Sequence, residues 1–150
     1  MAMTMTGEVQ LPASREVVFA KLNDPEVLKA CIPGCETLVM SSPTEFSAVA
    51  AVKIGPVKAR FKGNVHLTDL DPPNGYKISG QGEGGIAGFA KGGAVVGLSD
   101  APQGGTILSY NVEANVGGKI AQLGGRLIDG VAKKNADAFF SKFVEVVSQG

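Results

Sequence analysis

The hydrophobic period of this chain changes along its length. From Thr4 to Leu11 apolar and polar residues alternate well enough for a strand, which Pro12 and Ala13 end. Two helix starts follow. Ser14 caps the first, with Glu16 in its opening turn and Val17, Val18, Phe19, Ala20 and Leu22 as its apolar residues. Asp24 caps the second, Pro25 suits its first position, and Pro33-Gly34 turns the chain out of PEVLKAC. From Cys35 to about Val116 the period is two. Phe46, Ala48, Ala50, Val52 and Ile54 share one face. After a Gly55-Pro56 turn, Val57, Ala59, Phe61, Gly63, Val65 and Leu67 alternate with Lys58, Arg60, Lys62, Asn64, His66 and Thr68, the clearest half-buried strand in the chain. Asp71-Pro72-Pro73-Asn74-Gly75 predicts a hairpin turn. Tyr76 and Ile78 open a strand that dissolves into glycines, Ala94, Val96 and Leu98 mark another, and Leu108, Tyr110, Val112, Ala114 and Val116 the last. From Lys119 to Val147 the period becomes helical, with Ile120, Leu123, Leu127, Val131, Phe139, Phe143 and Val147 on one stripe. A continuous helix there would be roughly 43 Å long.

One strand, two short helices, about six strands and one long helix make an α+β chain, and the short turns imply an antiparallel meander. One apolar face of such a sheet needs a cover, and only the terminal helix is long enough to supply it. The pattern therefore predicts a single domain over residues 1–150. In it, a curved antiparallel β-sheet wraps around the long C-terminal helix, and the two short helices after the first strand close one end. Inward positions Ala48, Ala50, Ala59, Gly63, Ala94 and Ala114 would face Ala121, Gly124, Gly125 and Ala132 of the helix. Small side chains on both layers predict an internal apolar cavity, unless the layers simply approach and close it.

Charge and composition narrow the function classes. Fourteen basic residues balance fourteen acidic ones, against a broad nucleic-acid footprint. Two cysteines in 150 residues are too few for a disulfide scaffold. The N-terminus lacks a basic region followed by an apolar run, and no stretch approaches the ~18 apolar residues of a membrane span. A cytoplasmic location is the expectation. Glycine is the anomaly, at 21 residues. Most of them fall between Gly75 and Gly130. The run from Gly80 to Gly93 reads as a mobile hairpin carrying Ile86 and Phe89, and Gly124-Gly125 as a thinning of the helix where the sheet comes nearest.

No constellation of reactive groups emerges. Cys31 and Cys35 have a C-x3-C spacing better explained by core packing than by zinc, and His66, the sole histidine, lies on a polar strand face. Asp69 and Asp71 read as turn residues, and alternation places Glu113 outward. GQGEGGIAGFAKGG has neither a phosphate-loop pattern nor a helix to follow it. Lys119, Arg126, Lys133, Lys134 and Lys142 make the terminal helix modestly basic. That reads as a solvated face, with contact to an acidic partner or a membrane surface as the alternative. The catalytic and metal-binding sets are empty.

The order of elements converges with four local strings: GEVQLPASREVVFAKLNDPEVLKACIPGCE, IGPVKARFKGNVHLTDLDPP, GFAKGGAVVGLSD and SYNVEANVGGKIAQLGGRLIDGVAKKNADAFFSKF. Together these cover nearly the whole chain, and IPGCE and VGGKIAQLGGRLI are the most diagnostic. The sequence resembles the CoxG family of carbon monoxide dehydrogenase subunits, within the helix-grip, START-like (SRPBCC) superfamily. The resemblance implies a non-enzymatic accessory protein of an aerobic molybdenum hydroxylase of the carbon monoxide dehydrogenase type. Its partners would be the hydroxylase subunits, at the inner face of the cytoplasmic membrane, and its ligand an isoprenoid quinone or another apolar molecule. On this reading Phe46, Val52, Phe61, Val65, Val96, Tyr110 and Val112 line the cavity with Leu123, Leu127 and Val131 of the helix. Ile86 and Phe89 act at its mouth, and Tyr110 supplies a hydrogen bond to a ligand carbonyl. The competing readings are an assembly or docking factor with a solid interior and no ligand, and a helix-grip cyclase or hydrolase.

Overall fold

The computed structural model describes residues 1–149. Strand β1 (Ala2–Leu11) leads into helices α1 (Arg15–Leu22) and α2 (Pro25–Cys31). Six strands follow: β2 (Cys35–Ser42), β3 (Glu45–Ile54), β4 (Val57–Asp71), β5 (Gly75–Glu83), β6 (Phe89–Asp100) and β7 (Thr106–Gly117). Helix α3 (Gly125–Ser148) completes the fold. The seven strands form one sheet in the order β1-β7-β6-β5-β4-β3-β2, antiparallel at every junction. Helix α3 touches both β1, at one edge, and β3, next to the other. A flat sheet could not bring those strands to one helix, so the sheet must curl around it.

The short helices start where capping chemistry puts them. The Ser14 hydroxyl accepts the Val17 N–H at 3.3 Å, and the Asp24 carboxylate accepts the Glu26 N–H at 2.9 Å. Arg15 then fixes α1 over one end of the sheet by donating to Asp100 at 2.9 Å on the β6–β7 side and to Asn74 in the β4–β5 turn. Thr106, fully buried, donates to the Ala13 carbonyl at 2.7 Å and ties β7 to the link before α1.

The terminal helix is shorter than its periodicity suggests. Residues Lys119–Leu123 form a 3-10 helix, and Gly124 at φ +94° breaks the chain before α3 begins. Open space lies where side chains at Gly124 and Gly125 would project, so neither glycine thins the helix against the sheet. The apolar stripe continues across the break because both helices pack on the same cluster. Gly130, inside α3, also faces open space. Gly130→Ala is expected to stabilise the protein by about 0.5–1 kcal/mol, read as a higher urea midpoint at unchanged slope.

The glycine-rich run is likewise more regular than its composition implies. Strands β5 and β6 pair continuously from Gly75↔Gly97 to Glu83↔Phe89, leaving only Gly84–Gly88 as the connection. At Gly88 (φ +125°) the backbone lies directly against Gly117 and Gly118, and a side chain would have no room there.

Packing divides into two clusters. The larger joins α1, α2 and the C-terminal half of α3 (Phe143, Val147) to Leu11, Phe46, Leu67, Tyr76 and Leu108 of the sheet. The smaller, at the opposite end, joins Ile54, Ala87, Val116, Ile120 and Ile128.

Candidate functional site

An apolar hollow of about 280 Å³ lies within the larger cluster, between the sheet and the C-terminal half of α3. Its size sits at the lower edge of the ~300–1,000 Å³ typical of small-molecule sites. Period-two alternation supplies the sheet side: Phe46 and Ala48 from β3, Val65 and Leu67 from β4, Tyr76 and Ile78 from β5. Val96 and Leu108 extend that wall onto β6 and β7. Phe139 and Phe140, consecutive on α3 and edge-on to each other at 5.1 Å, form the opposite side. Leu22, Asn23, Leu28 and Ile32 close the end, and Leu38 flanks it from β2.

Only two lining side chains are polar. The Asn23 amide donates to the Phe19 carbonyl at 2.8 Å, which occupies that group at the end of α1. Tyr76 is 5% exposed, and its ring packs edge-on against Phe19 at 5.4 Å. Burial drives its pKa well above the usual phenol range, so it stays a neutral hydrogen-bond donor. The wall therefore suits an apolar molecule carrying one acceptor. It holds no acid–base pair. Among the described residues no group of three or more His, Cys, Asp or Glu side chains is arranged to bind a metal. A larger hollow of about 660 Å³ lies along the outer face of the sheet, where Glu45, Asn64, His66, Gln81 and Lys91 make it a polar, open trough.

Three residues singled out from the sequence, Phe46, Val65 and Val96, lie on the cavity wall. The others lie elsewhere. Val52, Phe61, Leu123 and Val131 pack in the smaller cluster at the far end. Tyr110 covers Gly7 across the β1–β7 pair and stacks on Phe140 at 5.4 Å, outside the lining. Val112 sits opposite Met5 and Ala94, away from the hollow. Leu127 is 37% exposed near the β3–β4 turn. Neither expected mouth residue reaches the cavity. Ile86 is 90% exposed at the far end, and the Phe89 ring covers Gly117. Alternation identifies the inward face but not the position along the helix, so inward residues from both ends look alike in the sequence.

Periodicity alone singles out neither the helical end wall nor Tyr76, although the sequence carries a signal for each. Two short helices that close one end bring their own apolar residues to the cavity. Tyr76 follows the Asp71–Gly75 turn in phase with inward-facing Ile78.

A family model for CoxG, described as a carbon monoxide dehydrogenase subunit, matches residues 7–148. Among solved structures, a conserved protein from Geobacillus kaustophilus is 34% identical, with a TM-score of 0.92 over 98% of this chain and 96% of that one. A START superfamily protein from Mycobacterium smegmatis is 14% identical, with a TM-score of 0.73 over 97% of each chain. The Zhui aromatase/cyclase from Streptomyces sp. R1128 is 11% identical, with a TM-score of 0.71 over 99% of this chain and 95% of that one. At such identities the last two share the fold alone. No curated protein matches the sequence.

Proposed function

The chain belongs to the CoxG family of carbon monoxide dehydrogenase subunits, whose members are non-catalytic accessory proteins, and from that premise we propose what it holds and whom it serves. It serves a molybdenum hydroxylase of the carbon monoxide dehydrogenase type, carries an apolar ligand under α3, and helps bring the enzyme to the cytoplasmic membrane. An isoprenoid quinone is the ligand that best joins those parts. The observation that carries the ligand assignment is the apolar hollow with its single buried phenol. Its volume accommodates a quinone ring and the first stretch of its chain, and a longer polyprenyl tail would have to extend outside. Water exclusion supplies the affinity, at roughly 25 cal/mol per Å² of apolar surface removed from solvent. Tyr76 supplies orientation by donating to a ring carbonyl. The cavity gives no support to a solid-interior docking factor, and a wall with one phenol and one engaged amide gives none to a cyclase or hydrolase.

The test is a titration of the purified protein with a short-chain naphthoquinone, followed by quenching of tyrosine fluorescence or by native mass spectrometry. One-to-one binding is expected. Tyr76→Phe should weaken it roughly three- to tenfold, the worth of one neutral hydrogen bond, while leaving a naphthalene of similar size and no carbonyl unaffected. An unchanged quinone affinity, read by mass spectrometry, would remove Tyr76 from the site, and no binding by the native protein would remove the ligand.

A further inference from the structure

The end of the molecule opposite the cavity has features that the ligand reading does not use. Ile86 stands there 90% exposed in the short 3-10 helix Gly85–Ala87, while its neighbour Ala87 is buried in the smaller cluster with Ile54 and Ile128. A buried alanine thus anchors a segment that holds a large aliphatic side chain in solvent. On the same half of the molecule, Leu127 and Leu123 line a surface hollow flanked by Arg126 and Lys134.

The charges at this end are unbalanced. Lys53 and Lys58 sit directly opposite each other across the β3–β4 turn, a like-charge pairing that disfavours the hairpin. Among the described residues Lys53, Lys58, Lys119, Arg126 and Lys134 take part in no ion pair. At the other end Arg15, Lys77 and Lys142 are matched with Asp100, Asp69 and Glu145. Lys21 and Lys29 of α1 and α2, unpaired among the described residues, sit among Glu16, Asp24 and Glu26 of the same helices and their link. The carboxylates near the Lys53–Lys58 end are Glu36, beside Lys53 and Lys58 and paired with Arg60 at 2.8 Å, Glu83, opposite Lys62, and Asp129 on α3. In a chain of zero net charge, this is a local excess of cations on the half of the molecule that carries the protruding isoleucine.

We propose that this end docks on an anionic lipid bilayer, with Ile86 entering the interface and Lys53, Lys58, Lys119 and Arg126 meeting the headgroups. The proposal deepens the membrane-recruitment part of the function above and rests on it. Charge complementarity selects a polyanionic surface. A single projecting aliphatic side chain on a lysine-rich end suits a fluid anionic interface better than a protein partner, because protein–protein interfaces are depleted in lysine.

The test is co-sedimentation of the full chain with quinone-free vesicles of phosphatidylcholine, with and without about one quarter phosphatidylglycerol. Binding to the anionic vesicles alone is expected, and it should disappear as salt shortens the screening length. Lys53→Gln with Lys58→Gln should weaken partitioning about thirtyfold, and Ile86→Asp about tenfold or more. Lys77→Gln with Lys142→Gln, at the other end, should change nothing, and circular dichroism checks that each variant is folded. If the native protein ignores anionic vesicles, or the Lys53/Lys58 and Ile86 variants bind as well as it does, the proposal is wrong. An acidic protein partner would give the first of those results. Because the vesicles carry no quinone, this outcome is independent of the cavity titration.

Discussion

Replacing Phe143 with alanine is expected to lower the unfolding free energy by about 3–5 kcal/mol. The ring is fully buried, stacks on Phe139 at 5.8 Å, and belongs to the cluster that joins α3 to α1, α2 and the sheet. Its removal takes away both its transfer free energy and the contacts that hold α3 inside the curl of the sheet. The walls cannot easily collapse into the space, because α2 packs on α3 from one side and β1 from another. A domain of this size has ~5–15 kcal/mol in total, so the variant should melt on the order of 10 °C lower. Phe139→Ala is the informative comparison. Phe139 is only partly buried and faces the hollow, so its loss should cost clearly less. Urea titrations of the two variants check the difference. Equal costs would mean that the hollow is as tightly packed as the core beside it.

Most of the fold is legible in local chemistry because the local signals agree with one another. The Ser14 and Asp24 caps, Pro25 and Pro33-Gly34 fix two short helices almost to the residue. The alternation from Val57 to Thr68 fixes β4 and its inward face, and the Asp71–Gly75 turn fixes the hairpin to β5. Periodicity overextends the long helix for an identifiable reason. An apolar stripe reports which face is buried, and the Lys119–Leu123 turn and α3 bury theirs against the same cluster. Only the positive φ of Gly124 separates them, and composition alone cannot say whether a glycine uses that freedom. The glycines between Gly80 and Gly93 make the same point in reverse. Their density suggests looseness, yet most are regular strand, and the close backbone approach at Gly88 depends on a partner some thirty residues later in the chain.

The site is less legible than the fold because a cavity is defined by what fails to meet. Ala48 has Gly63 opposite it on β4 and Leu38 opposite it on β2, which leaves space above that part of the sheet. Inward residues nearer the other end, such as Val52 and Phe61, look identical in the pattern but find partners in the 3-10 segments. Tyr110 has the chemistry of a ligand contact. It is directed elsewhere because Gly7, across the β1–β7 pair, has no side chain and lets the ring lie over β1. That cross-strand register lies between residues about a hundred positions apart and leaves no trace in local periodicity.

The same gap makes Ala48 the position where ligand binding can be separated from everything else. Ala48→Phe is expected to place a ring in the hollow, over Gly63, and to reduce quinone affinity about a hundredfold or more by occupying the surface the ligand would bury. Stability should change by less than about 1 kcal/mol, because the added volume enters existing space instead of displacing packed neighbours. A loss of several kcal/mol would show that the void is too small for a ring, and retained affinity would place the ligand outside it. The variant also divides the two halves of the function. If carrying a ligand and docking a hydroxylase reside in different parts of the molecule, Ala48→Phe should still co-purify with the partner enzyme and still reach anionic vesicles through the Ile86 end. Only transfer of a quinone would fail. If co-purification is lost as well, the ligand is part of the docking surface, and the cavity under α3 governs when the partner is engaged.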